Sequence, residues 1–375
     1  MVFLSKKIGF VLTFGRVLAK IEASEKTGPK GHSRISKELL MKTSNSHNYE
    51  YSVFKSIVPS MRYDGKSDFS QWQAAARNKL SELLGLPLVK CDGEVNIEYK
   101  KDFSDYTEYR FTVESEPGYL LPCHLLVPKS EAKPLPLTLC LSGHGGGMHV
   151  ALGVAKTEAD EKALKSWHHR AMARRSLKEG RAALVIEARN FGESSLTGYG
   201  TSCTEAAKIA LLAGRTVIGE RVHDAMRALD AVERNFPEID MTDIVCTGNS
   251  GGGTATYYLA CLDERITAAA PSCSVCTYEA SIAAMEHCMC NHIPSIRRYF
   301  EMGDLAGLIA PRILVVAAGR EDDIFPLEGT KDAFNQAARL YLHAGVPQNC
   351  ALVIGDGGHL NYADLLWQKL HEMGI

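Results

Sequence analysis

The segment Asp243-Ile-Val-Cys-Thr-Gly-Asn-Ser-Gly-Gly-Gly253 constrains this chain more than any other. A short apolar run ends in Gly248-Asn249-Ser250-Gly251-Gly252, and a helical pattern follows from Thr254 to Leu262. A strand that enters a helix through G-x-S-x-G must turn so tightly that side chains two positions either side of the serine would collide. Glycine is therefore needed at both positions, and the serine is held in a strained backbone with its Oγ above the sheet edge. The helix begins at the serine, so its first amides face the serine oxygen. A Gly/Ser-rich turn can instead cradle a phosphate, but the strand before it and the helix after it favour a nucleophile.

The surrounding sequence repeats that texture. From Leu137 onward, short apolar runs alternate with longer helical patterns: Leu137 to Leu141, Ala182 to Glu187, Ile244 to Thr247, Ile266 to Ala270, Ile313 to Ala318 and Ala351 to Ile354. Such alternation predicts βαβ units and a mostly parallel sheet, and continuously apolar strands fit burial on both faces. Two earlier runs, Glu108 to Val113 and Tyr119 to Val127, flank the turn signal Glu116-Pro117-Gly118 and read as an antiparallel pair. Ser70 to Leu84 reads as a helix stopped by Gly85 and Pro87. The fold class is α/β, with one domain over residues 61–375 and a polar, partly disordered N-terminal extension over 1–60.

Composition narrows the chemistry. The net charge of −2 offers no field for nucleic acid or anionic lipid. No segment reaches the roughly 18 apolar residues of a membrane span. The apolar run Ile8 to Phe14 is too short, and too closely followed by Arg16, for a secretory leader. Eleven cysteines, an odd and unevenly spaced set, argue against a disulfide framework and for a reducing, cytoplasmic setting.

Three further loops follow apolar strands. Gly143-His-Gly-Gly-Gly147 can present backbone N–H groups to a developing oxyanion. With Gly251, the residue after the serine, Gly146 is the expected donor, Gly145 and Gly147 being alternatives, while His144 braces the loop. Ala317-Ala-Gly-Arg-Glu-Asp-Asp-Ile-Phe-Pro326 carries the carboxylates Asp322 and Asp323, and Val353-Ile-Gly-Asp-Gly-Gly-His359 carries an imidazole. The chain order serine, acid, histidine fits a general base at His359 oriented by a carboxylate.

From about Tyr109 to the C-terminus the chain resembles α/β-hydrolases of the dienelactone-hydrolase and acetylxylan-esterase-like group. The matching pieces are Gly143 to Gly147, Glu187-Ala-Arg-Asn-Phe-Gly-Glu-Ser194, Gly214 to Arg221 with Asp224 and Arg227, Gly248 to Gly252, Asp304 to Arg312 and Gly358-His359. That resemblance implies an acid in Gly-x-x-Asp-x-x-x-Pro, which is Asp322, with Asp323 the close rival. It also implies a cap over the site at about residues 272–305. The expected activity is cleavage of a carboxylic ester, of a small molecule or an oligosaccharide, with acetyl groups on xylan-derived sugars as the leading substrate and no cofactor or metal. A peptidase resembling prolyl oligopeptidases is the alternative, although about 100 residues before the sheet cannot form a propeller. A binding protein without catalysis would lack a triad residue, and none is missing.

Other features are given bland readings. Cys273-x-x-Cys276 with His287-Cys288-Met-Cys290-Asn-His292 has the wrong second half for a zinc knuckle and reads as a cap packed with small thiols, Cys288 or Cys290 alternatively lining the pocket. Arg221, Asp224 and Arg227 share one helix face, where such neighbours pair for a few tenths of a kcal/mol. His168 and His169 read as surface residues.

Overall fold

The computed structural model describes residues 10–11, 34–35, 40–132, 134–166 and 170–375. The run Ile8 to Phe14 falls mostly outside that set, as do His168 and His169.

Nine strands build the central sheet. They are β1 Val95–Asp102, β2 Tyr106–Glu116, β3 Tyr119–Pro128, β4 Leu135–Leu141, β5 Ala182–Ile186, β6 Ile239–Asn249, β7 Ala268–Ser272, β8 Ile313–Gly319 and β9 Cys350–Gly355. Their spatial order is β9-β8-β7-β6-β4-β5-β3-β2-β1, and the two-residue strand Phe10–Val11 pairs with the outer edge of β9. The run from β9 to β5 is parallel, and β3, β2 and β1 are antiparallel additions.

The continuous apolar runs have the reason anticipated for them. Leu137, Leu139 and Leu141 of β4, with Ile244 and Cys246 of β6, pack on one face. Cys140 of β4 faces another cluster, and Val245 of β6 a third, on the opposite side. Alternate side chains point to opposite faces, and both faces are covered, so apolar residues fill nearly every position of β4, Thr138 being the exception. The first face is covered by helices α1 Phe69–Leu83, α3 Val217–Asn235, α4 Gly251–Leu262 and α5 Leu327–His343. Helix α6 Ala363–Glu372 covers part of the other. Helix α2 Cys203–Leu212 sits beside Phe191 at the end carrying the glycine loops.

Strand β1 escapes the sequence pattern. It is an edge strand, exposed along nearly all its length, and Glu98, Lys100 and Lys101 blunt it against further pairing. Without a buried face it shows no alternation. Within the segment expected as an extension, Ser46–Ser56 is a helix, and Tyr51 donates to the Glu279 carbonyl. The amides of Ser60 and Met61 bond to the carbonyls of Arg298 and Tyr299.

The helix face at Arg221 differs from its expected pairing. Asp224 takes a bidentate bond from Arg189 at 2.7 and 2.8 Å and a third from Ser115 at 2.7 Å. Arg221 donates to the Arg189 carbonyl, and Arg227 pairs with Asp230. A guanidinium fork meets a carboxylate better across two elements than along one helix, and burial rewards that geometry.

Candidate active site

Strands β4 and β6 are neighbours, but the chain leaves β4 towards β5 and leaves β6 towards β7. The crevice at their carboxyl ends is thus a topological switch point, where open α/β sheets bind ligands. The loop Gly143–Gly147 and the turn at Ser250 meet there and line one cleft with Asn361 and Arg170.

Ser250 has φ 55° and ψ −123°, a left-handed backbone that costs on the order of 1–3 kcal/mol for a residue with a side chain. The turn allows nothing else. A Cβ on Gly248 would lie 2.4 Å from the Gly252 carbonyl carbon, and one on Gly252 would lie 2.0 Å from the Leu141 oxygen. The Ser250 amide is held by the Ser272 carbonyl at 3.0 Å, and α4 starts at Gly251.

His359 lies in the loop after β9, and its Nδ1 is 3.0 Å from Asp322 Oδ2. Asp322, in the loop after β8, also accepts from the amides of Ile324 and Phe325 at 2.9 Å. Burial pushes its carboxyl up, but bonds from His359, the Phe325 amide and the Cys273 thiol outweigh this and hold it below the usual range. An ionised carboxylate only accepts, so Nδ1 carries a proton and donates to it. Among the described residues no such bond joins His359 to Asp323, so the structure brings Asp322, not its rival, to the imidazole.

Two residues were not read in the sequence as part of this site. Ser272 donates to the Leu360 carbonyl at 3.1 Å and accepts from the Tyr362 amide at 3.2 Å, joining the loop of His359 to the turn of Ser250. Cys273, with φ 48°, is a thiol pushed up by burial and by the Asp322 charge, so it stays protonated and donates. Each is one polar residue at a strand end, a position without periodic signal.

The loop Gly143–Gly147 is shaped by Glu187, which accepts from the amides of Met148 and Glu193 at 3.0 and 3.1 Å. Burial pushes its carboxyl up to about 7 despite those bonds. Beside the loop, a second pocket is lined by Asp160, Lys162, Tyr199 and Arg170. His144 also lines that second pocket, with its Nε2 3.5 Å from Cys290 Sγ and 3.8 Å from Cys203 Sγ. Bonds from Cys288 and Cys290, with His144 and Arg221 adding to them, hold the Cys203 thiol far below its usual range.

The family model described as the abhydrolase family matches residues 50–340. This chain belongs to the abhydrolase family. Among known proteins, this abhydrolase is similar to YtaP of Bacillus subtilis (strain 168), assigned by inference as a hydrolase. The two are 25% identical over 245 residues, which is 64% of this chain and 79% of that one. Among solved structures it is similar to a Bacteroides fragilis protein assigned by inference as an acetyl xylan esterase. The TM-score there is 0.71 at 18% identity, over 89% of this chain and 86% of that one. It is also similar to a glucuronoyl esterase from Solibacter usitatus, with TM-score 0.62 at 17% identity over 82% and 93% of the two chains. At those identities the likeness is one of fold, and the fold is that of the α/β-hydrolases.

Proposed function

We propose that this abhydrolase is a serine esterase acting on carboxylic esters of carbohydrates, with acetylated xylan fragments as the leading substrate class. The observation that carries the reading is a strained Ser250 elbow at the end of β6, on the same sheet edge as a His359–Asp322 couple in the loops after β9 and β8. In the proposed reaction Ser250 Oγ attacks the ester carbonyl carbon and passes its proton to His359 Nε2, while Asp322 stabilises the imidazolium. The amides of Gly251 and Gly146 hold the oxyanion, worth about 3 kcal/mol per donor in comparable sites. The alcohol leaves with the proton from Nε2, and water, activated by the same nitrogen, releases the acid from the acyl-enzyme.

Support for a sugar ester comes from the polar lining of the pocket beside the glycine loop, which includes Asp160, Lys162 and Tyr199. The names of the acetyl xylan esterase and glucuronoyl esterase neighbours agree with it. A second reading, a uronic-acid ester, takes its support from the name of the glucuronoyl esterase neighbour. A cytoplasmic setting remains our proposal; among the described residues no helix is long and apolar enough to cross a membrane.

The test is release of acetate from acetylated xylo-oligosaccharides and of methanol from methyl glucuronate, by wild type and by Ser250→Ala. Serine-dependent acetate release supports the leading reading, and serine-dependent methanol release the second. Folded wild type that cleaves neither, nor p-nitrophenyl acetate, would sink the esterase.

A further inference from the structure

We propose that His144, Cys203, Cys288 and Cys290 form a zinc site that clamps the glycine loop Gly143–Gly147 from behind. The four residues come from three separate places: the loop after β4, the first turn of α2, and the short turn at Met289–Asn291. Their donor atoms nevertheless all lie within 4.8 Å of one another.

Three of the spacings fall near the edges of a coordination tetrahedron. Zn–S bonds of about 2.3 Å and Zn–N bonds of about 2.0–2.1 Å set donor-to-donor edges of roughly 3.5–3.8 Å. Here Cys290 Sγ lies 3.5 Å from His144 Nε2, Cys203 Sγ lies 3.8 Å from it, and the sulfurs of Cys288 and Cys290 are 3.2 Å apart. Three thiols and one imidazole are a soft donor set that selects zinc over magnesium or calcium. No sulfur pair is recorded as a disulfide, and every cysteine of the set is free.

The surroundings suit the charge. Three thiolates around Zn²⁺ leave one negative charge, and the buried Arg221 places Nη2 3.2 Å from Cys203 Sγ. Arg221 is itself fixed, donating to the Arg189 carbonyl at 2.9 and 3.1 Å and lying 4.1 Å over the Phe191 ring. Such an outer partner orients a ligand and offsets its charge. Sequence spacing hid the site because Cys203 and His144 stand far from the Cys288–Cys290 pair, and this proposal departs from the expectation of no metal.

The position gives the ion a task. A Cβ on Gly251 would lie 3.0 Å from His144 Nδ1, so the ring is wedged against the start of α4, next to the oxyanion-hole loop. Metal at Nε2 fixes the ring and thereby Gly145 and Gly146. That link to turnover rests on the esterase reading; the site itself does not.

The experiment is metal analysis of full-length wild type purified under reducing conditions without chelator, then of metal-free protein refilled with Zn²⁺ or Co²⁺. The expected result is one zinc per chain, and a Co²⁺ form with the intense sulfur-to-metal absorption and tetrahedral bands of a thiolate-rich site. Cys203→Ser and Cys290→Ser, checked for folding by circular dichroism, should lower zinc affinity by roughly 100-fold or more. Folded wild type that takes up no stoichiometric zinc or cobalt overturns the proposal, as does a disulfide among these cysteines in freshly reduced protein re-exposed to Zn²⁺. Because the readout is metal, failure here is separable from failure of the esterase reading, which ester turnover alone decides.

Discussion

The Ser250 amide donates to the carbonyl of Ser272 at 3.0 Å, and this bond joins the Ser250 turn to the strand beside it. The Ser272 hydroxyl reaches the other way, to Leu360 and Tyr362 in the loop of His359. Ser272→Ala should therefore leave two partly buried backbone groups short of a partner and cost about 1 kcal/mol. It should also lower kcat roughly 10-fold or more by loosening His359, with little change in KM. Steady-state kinetics beside a melting curve would check both, and an unchanged kcat would contradict the positioning role.

The strained serine sets a trade between stability and activity. Ser250→Gly should raise stability by about 1–2 kcal/mol, because glycine accepts positive φ, while Ser250→Ala keeps most of the strain. Both should lower kcat by roughly 10⁴-fold or more. Urea unfolding of the three proteins decides it; a glycine variant no more stable than wild type would show that the elbow is not strained.

The choice of acid is sharp. Asp322→Asn should cost about 10⁴-fold in kcat, as loss of the orienting carboxylate does in related triads, whereas Asp323→Asn should stay near wild type. The sign of the pH effect follows from the lowered Asp322 carboxyl. Its contribution to stability is complete above the unfolded value of about 3.9 and is lost as pH falls below it. Acid titration of stability should thus be shallower below pH ~4 in Asp322→Asn than in wild type.

Glu187 has the opposite sign. Its carboxyl, raised to about 7 in the folded protein from 4.5, binds its proton more tightly there than in the unfolded chain. Stability attributable to it is therefore full below 4.5 and is lost as pH rises through about 7. Glu187→Gln, which cannot titrate, should flatten the stability profile across that window. An equally steep profile in the variant would assign the slope elsewhere.

Asp224→Ala should be among the most damaging changes outside the cleft. It removes the bidentate partner of Arg189, which keeps Glu116 at 2.6 Å, so the cost should fall near the lower end for a broken buried pair, about 3 kcal/mol. Chemical denaturation would measure it, and a loss under about 1 kcal/mol would mean that Glu116 alone suffices.

The parallel sheet, the elbow and the loops bearing Asp322 and His359 were legible because local physics writes them locally. Strands buried on both faces read as unbroken apolar runs, and a turn with Gly252 against the Leu141 oxygen admits only glycine. Strand β1 was not legible, because an exposed charged edge carries no alternation. The i,i+3 pairing expected around Arg221 failed for a related reason: spacing along a helix says which residues share a face, not what packs against it.

Sequence alone therefore determined the fold class, the candidate nucleophile and the loops that bear the candidate base and acid. Only the tertiary structure put Asp322 against the His359 imidazole, since a carboxylate's partner is set by distance across two loops. It alone joined Ser272 to both halves of the site and gathered His144, Cys203, Cys288 and Cys290. Contacts between residues distant in sequence depend on how strands stack and helices cross, and no local pattern in the chain encodes them.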